Sequence, residues 1–236
     1  FAQLVRAFMP DVLDLQEYSL HMHQQFYPLI RRYGYRIAYE GEEPWNNTPI
    51  FYNPETVELV DVNYVLYAPS CWSNIGSKSY TSAVFRKKDT GRLFAVVNTH
   101  LWWKSEAAQP GSTYARAAQV RLMMAEAEVL KNKYGCTIFV TGDMNAYEDS
   151  LPIRQFIEGG YTPCYKAATD ATDNGNGHHI CGPKDGYSRT SRRRSPDREK
   201  GAIDHCFIYN AQEGVAVKVF DCITARITVK LTDHYP

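Results

Sequence analysis

Apolar positions along the chain come in short runs separated by turn residues, and their spacing changes from place to place. Residues 1–9 carry Leu4, Val5 and Phe8 on one helical face, and Pro10 ends that pattern. Val12, Leu13 and Leu15 form an apolar run that predicts a buried strand closing on Gln16-Glu17. Residues 20–32 predict a helix. Residues 35–39 and 49–52 predict strands, Asn53-Pro54 a turn, and Val57, Leu59, Val65 and Leu66 further extended chain. Residues 81–87 and 92–98 flank Asp89-Thr90-Gly91, a hairpin signal. The strongest helix lies over residues 114–133, with Ala117, Val120, Met124, Ala127 and Leu130 at three- and four-residue spacing and Gly135 as its stop.

Beyond it, residues 137–141 predict a buried strand and residues 151–158 a short helix that Gly159-Gly160 ends. Residues 169–200 are polar, rich in Gly, Ser and Arg, and predict a long loop. Strand patterns return at 202–209 and 215–229. Strands dominate with helices between them, which favours two packed sheets with helices outside.

Composition narrows this picture. A chain of 236 residues, 44% hydrophobic, fits one large domain over residues 1–236 with a sizeable core. Its formal net charge of +0 argues against a protein that grips nucleic acid along a broad basic surface. No run approaches the roughly 18 apolar residues of a transmembrane segment. The six cysteines lack paired spacing, so they predict buried thiols and one disulfide rather than a zinc site, and His178, His179 and Cys181 lie together without a second ligand pair. The oligomeric state stays open, and so does compartment; a secreted or periplasmic protein whose targeting segment lies outside this chain fits as well as any other.

The chemistry is concentrated where apolar runs end. Gln16-Glu17 follows DVLDL, Asn98-Thr99-His100 follows LFAVV, and Asp143-Met144-Asn145 follows TIFVTG. Asp204-His205 follows GAI, and Asp233-His234 follows VKLT. A strand rooted in a core holds its terminal side chain rigidly, so several such ends can converge on one polar site. Carboxylates, amides and imidazoles in that mixture suit Mg²⁺ or Mn²⁺, which take oxygen ligands and keep waters.

In order and approximate spacing these clusters resemble the endonuclease/exonuclease/phosphatase superfamily. PDVLDLQE, VVNTHL, VTGDMN, AIDH and TDHYP are similar to its motifs, and Arg116 and Gln119 match residues on its following helix. The resemblance implies a DNase I-like four-layer α/β/β/α sandwich and a phosphoester hydrolase using Mg (or Mn). By resemblance, Glu17 and Asp233 hold the metal, and Asp143 and Asn145 orient water and contact phosphate. Asp204 supports a catalytic His234, while Asn98 and His100 contact phosphate. Substrates in such a family include nucleic acid, phospholipid head groups and sugar or inositol phosphates. Two departures stand out. The family's first strand, with its asparagine, has no counterpart before Phe1, nor has its last strand after Pro236. Asn46 and Asn47 also occupy the place of a glutamate that often partners the strand histidine.

Other readings of these residues exist. Asp143 and Asn145 could simply shape a turn, and His205 is better placed for structure or substrate contact than for catalysis. Trp102 and Trp103 could stack on a base or sugar, or one could pack in the core. Arg189, Arg192, Arg193, Arg194, Arg198 and Lys200 could attract an anionic substrate, or be a solvated surface. The alternative function is a non-catalytic binding module on the same fold, which predicts substitutions in the motif carboxylates; none is present. A carbohydrate-binding sandwich explains the aromatics but not the Asp/Asn/His set.

Overall fold

The computed structural model describes residues 1–41, 45–67, 78–172 and 203–221. In chain order these form α1 (Ala2–Phe8), β1 (Val12–Asp14), α2 (Leu20–Arg31), β2 (Arg36–Ile37), β3 (Ile50–Tyr52), β4 (Val57–Leu66), β5 (Ser79–Lys87) and β6 (Leu93–His100). There follow α3 (Ser112–Tyr134), β7 (Thr137–Asp143), α4 (Leu151–Glu158), β8 (Thr162–Pro163), α5 (Cys164–Ala167), β9 (Asp170–Thr172), β10 (Asp204–Tyr209) and β11 (Val219–Asp221). The strands make a three-stranded sheet ordered β1-β3-β2, a six-stranded sheet ordered β4-β5-β6-β7-β10-β8, and a two-stranded pair of β11 and β9.

The side-chain alternation of the central strands explains the layering. Ile50 and Tyr52 of β3 face the six-stranded sheet, where they meet Val57, Ala83, Phe85 and Val96. Phe51, between them, points the other way and packs with Val5, Phe26 and Ile30 of α1 and α2. In the large sheet, Val84, Ala95 and Val97 face Val120, Met123, Ala127 and Leu130 of α3 and Ile153 and Phe156 of α4. Each central strand is therefore apolar on both faces, which is why these segments read as continuous apolar runs. The result is helix, sheet, sheet, helix: the four-layer α/β/β/α, DNase I-like architecture expected from the sequence.

Local chemistry sets the elements. Ser19 caps α2, its hydroxyl accepting from the Met22 amide at 3.1 Å. Gly135 ends α3 in the left-handed conformation at φ 59, its N–H donating to the Lys131 carbonyl. The β5–β6 hairpin forms as expected, and α3 then carries the chain over to β7, which lies parallel to β6.

Several boundaries differ from expectation. Residues 35–39 yield only Arg36–Ile37 as strand. Met123, not Met124, is the fully buried methionine of α3, because the helix buries a wide face that includes Arg116 and Gln119. Within the loop expected over 169–200, residues 170–172 form β9, which pairs in parallel with β11, and so short a polar strand leaves no apolar signature. Of the strand expected at 215–229, only β11 is strand among the described residues. Residues 173–200 and 222–229 lie outside them.

Gly142 is the tightest point of the large sheet. It has φ +140, and a Cβ there would lie 2.0 Å from the Thr99 carbonyl oxygen. Its neighbours on both sides are strands, Thr99 of β6 and His205 of β10, so neither backbone can retreat. Gly142→Ala is therefore expected to cost roughly 2–4 kcal/mol of unfolding free energy, as strained backbone and overpacking together do. Urea unfolding measures it; a loss indistinguishable from zero would contradict the packing described.

Candidate active site

Strand register brings the polar strand ends together. His100 is the parallel partner of Asp143, and Asp143 is the antiparallel partner of Asp204, so three neighbouring strands finish side by side. His100 and Asp143 are buried, and His100 Nε2 lies 3.4 Å from Asp143 Oδ2. Asp143 Oδ1 accepts from the Asn145 amide at 2.8 Å, and Asn145 sits at φ 46 with its side-chain amide donating to the Leu101 carbonyl at 3.2 Å. The tight turn after β7 thus fixes both residues relative to the end of β6.

The smaller sheet contributes from across the sandwich. The chain after β1 carries Gln16, whose amide donates to Asn98 Oδ1 at 2.7 Å, and then Glu17, exposed and at φ 55. Asp14 Oδ2 accepts from the Thr141 hydroxyl at 2.6 Å. Its other carboxylate oxygen is enclosed without a hydrogen-bond partner, and burial pushes the Asp14 pKa up to about 6.

Lys78, just before β5, was not anticipated. It is 5% exposed, and its ammonium donates to His100 Nε2 at 2.6 Å. Burial lowers its pKa to about 8, while Asp143 and Glu17 pull in the opposite direction, towards the charged form. At neutral pH the lysine is therefore mostly charged. His100 Nε2 thus lies between the Lys78 ammonium, at 2.6 Å, and Asp143 Oδ2, at 3.4 Å. Glu17 and Asp143 both favour the charged form of this one ammonium, so carboxylates from both sheets lie within electrostatic range of it. A basic residue ahead of a strand carries no motif, which is why the sequence did not single it out.

Other expected residues turn out differently. Asn98 is fully buried; its amide donates to the Leu15 and Pro49 carbonyls at 2.8 and 3.1 Å and its oxygen accepts from Gln16. These bonds make the Asn98 side chain a tie between the two sheets. Asn46 is buried among Tyr39, Thr48 and Thr81. Arg116 donates to the Trp102 and Lys104 carbonyls at 3.0 and 2.7 Å, and Gln119 accepts from the Trp102 amide at 3.0 Å. Both hold the segment that follows His100. Trp102 packs in the core while Trp103 is exposed. His205 Nε2 lies 2.7 Å from the Ala146 carbonyl, a structural contact. Cys136, Cys164 and Cys206 are free thiols. Asp233, His234, His178, His179, Cys181 and the basic residues from Arg189 to Lys200 lie outside the described residues.

Among the described residues no three His, Cys, Asp or Glu side chains converge as a ready-made metal cluster. Glu17 and Asp143 nevertheless suit a hard cation such as Mg²⁺, which commonly uses one or two carboxylates and keeps its waters. No described helix is long and apolar enough to cross a membrane.

Polar strand ends at one edge of a four-layer sandwich, carboxylates beside a histidine and a lysine, define a phosphoester hydrolase of the DNase I-like class. The sequence profile of the Endonuclease/Exonuclease/phosphatase family matches residues 1–234, and the chain belongs to that family. The fold is similar to that of a mannosyl-6-phosphatase of Bacteroides thetaiotaomicron, with TM-score 0.74, 18% identity, and 99% of this chain and 86% of that one covered. It is also similar to the human Nocturnin catalytic domain with bound sulfate, at TM-score 0.62 and 20% identity over 87% of this chain and 72% of that one. In sequence, 83 residues are 31% identical to the RNA exonuclease NGL1 of Saccharomyces cerevisiae, covering 31% of this chain and 21% of that protein.

Asp14 gives a pH test. Its folded-state pKa, about 6, lies above the ordinary 3.8, so folding favours its protonated form. The stability this contributes is complete below about pH 4 and is lost as pH rises through about 6, by up to about 3 kcal/mol. Asp14→Asn should therefore match the wild type near pH 4 and become more stable than it by pH 7. Denaturant unfolding across that range checks the difference; a gap that does not change with pH would contradict an enclosed carboxyl at this position.

Proposed function

We propose that the chain is a divalent-metal-dependent phosphoester hydrolase whose reaction takes place at the ends of β6, β7 and β10. The observation that supports this reading is the register that sets His100, Asp143 and Asp204 side by side at neighbouring strand ends, with buried Lys78 against His100. In this reading Glu17, with Asp233, holds Mg²⁺ or Mn²⁺. When bound, the metal supplies Lewis-acid neutralisation of a non-bridging phosphate oxygen.

The protein's own groups supply the rest. Asp143 and Asn145 stand together on a rigid turn and orient the attacking water. His100, held at Nε2 by Lys78, contacts phosphate at the end of β6. Asp204, at the end of β10, backs His234, which acts as acid–base or electrostatic catalyst; a carboxylate fixes an imidazole's tautomer and favours its charged form. Arg116 and Gln119 position the segment leaving His100 and leave the chemistry to others.

A net charge of +0 favours a small or lipid-borne phosphoester over a long nucleic acid. The phosphatase and RNA exonuclease relatives bracket the choice between monoester and diester. The non-catalytic reading has no observation in its favour, because the motif carboxylates Glu17, Asp143, Asp204 and Asp233 are all present.

Hydrolysis of a panel of mono- and diesters with Mg²⁺, Mn²⁺ or EDTA tests the reading. Metal should be required, and His234→Ala should lower turnover roughly a hundredfold to ten-thousandfold. Activity that survives EDTA, or an unchanged rate in the His234 variant, would contradict it.

A further inference from the structure

Lys78 is an ammonium in the wrong surroundings for an ordinary structural lysine. It is 5% exposed and, among the described residues, forms no ion pair; its hydrogen-bond partner is His100 Nε2. An enclosed charge without a counter-ion costs several kcal/mol unless something compensates. Asp143 and Glu17 offer distant compensation, but neither lies within the 4.0 Å that defines an ion pair. A bound divalent cation would draw on those same carboxylates and leave the lysine less compensated still. Among the described residues, Lys78 has no close anion.

The position of Lys78 says where that anion would lie. The ammonium stands at the head of β5, next to the end of β6, and touches the terminal His100. A lysine ammonium has three N–H donors, and His100 takes one of them. The others are available to oxygens beside His100 and Asp143, the groups already assigned to phosphate and water.

We propose that Lys78 is the phosphate-binding cation of this site, donating to the non-bridging oxygens of a phosphoester held beside His100 and Asp143. The inference rests on the hydrolase reading and adds to it a specific anion contact. The contacting species is a tetrahedral oxyanion, which a terminal phosphate and a phosphodiester both present.

Inorganic phosphate is the probe, titrated calorimetrically into wild type, Lys78→Met and Lys78→Arg, with and without Mg²⁺. Lys78→Met should weaken phosphate binding roughly ten- to hundredfold, the loss of a charge-assisted hydrogen bond. Its melting temperature without phosphate should equal or exceed that of the wild type, because an enclosed charge has been removed. Lys78→Arg should recover part of the binding. Steady-state rates on p-nitrophenyl phosphate and bis-p-nitrophenyl phosphate then separate the sources. A KM raised for both means that either ester uses the lysine, and a KM raised only for the monoester assigns it to a terminal phosphate.

The proposal is overturned if the wild type does not bind phosphate, or if Lys78→Met binds it as tightly. It is also overturned if the Met and Arg variants both lose binding together with melting temperature, which is a packing role. Hydrolysis by wild type with phosphate binding indifferent to Lys78 would sink this assignment alone. Lys78-dependent binding without hydrolysis of any ester would sink the enzyme reading and leave the anion site standing.

Discussion

A polar seam between the two main sheets governs the geometry of this protein. Away from the site the sheets meet through Ile50, Tyr52, Val57, Ala83, Phe85 and Val96, an apolar contact that is strong but indifferent to small sliding movements. Toward the site the contact becomes hydrogen-bonded. Asn98 ties β6 to the Leu15 and Pro49 carbonyls and to Gln16, Thr141 ties β7 to Asp14, and Asn46 and Thr48 reach Thr81 and Ser79 of β5. Buried polar groups must be satisfied, so this seam closes in one register. Glu17 comes one residue after Gln16, and that register brings it within electrostatic range of Lys78.

The site is thus assembled by strands that have other reasons to be where they are. β6, β7 and β10 are ordered by a hairpin, a helical crossover and an antiparallel return; β6 and β7 end on their polar residues, and β10, running the other way, begins with Asp204-His205. Gly142 lets β6 and β7 approach closely just where the polar residues begin. Rigid strand ends suit phosphoester chemistry, in which most of the protein's contribution is to hold charges and a water in place. One consequence is that Asn98, in a motif that reads as catalytic, also ties the two sheets together. Lys78, outside any motif, faces the reaction space.

Much of this was legible in the sequence, and what was missed has physical causes. The central strands and α3 declared themselves by apolar spacing, and the four layers followed from strands buried on both faces. Residue type and position at strand ends brought Glu17, His100, Asp143 and Asp204 forward. What residue type alone could not show was direction. Asn98 and Asn145 are both asparagines at strand ends, yet one points between the sheets and the other stands on a left-handed turn. Lys78 gave no signal because a lysine before a strand is usually solvated, and its burial arises from packing at the sheet edge. The short β9 and β11 pair through backbone hydrogen bonds with little apolar content, so no periodicity marked them.

The central claim is that carboxylates from the two sheets share a single cation-binding site at the ends of β6 and β7. Anomalous diffraction from crystals soaked in Mn²⁺ tests it most directly. The account predicts a manganese peak coordinated by Glu17 at roughly the 2.0–2.3 Å of hard-cation oxygen ligands, on the same side of the sheet as Asp143, His100 and Lys78. A peak elsewhere on the molecule, or Glu17 turned away from Asp143 with no manganese between the sheets' polar ends, would contradict it.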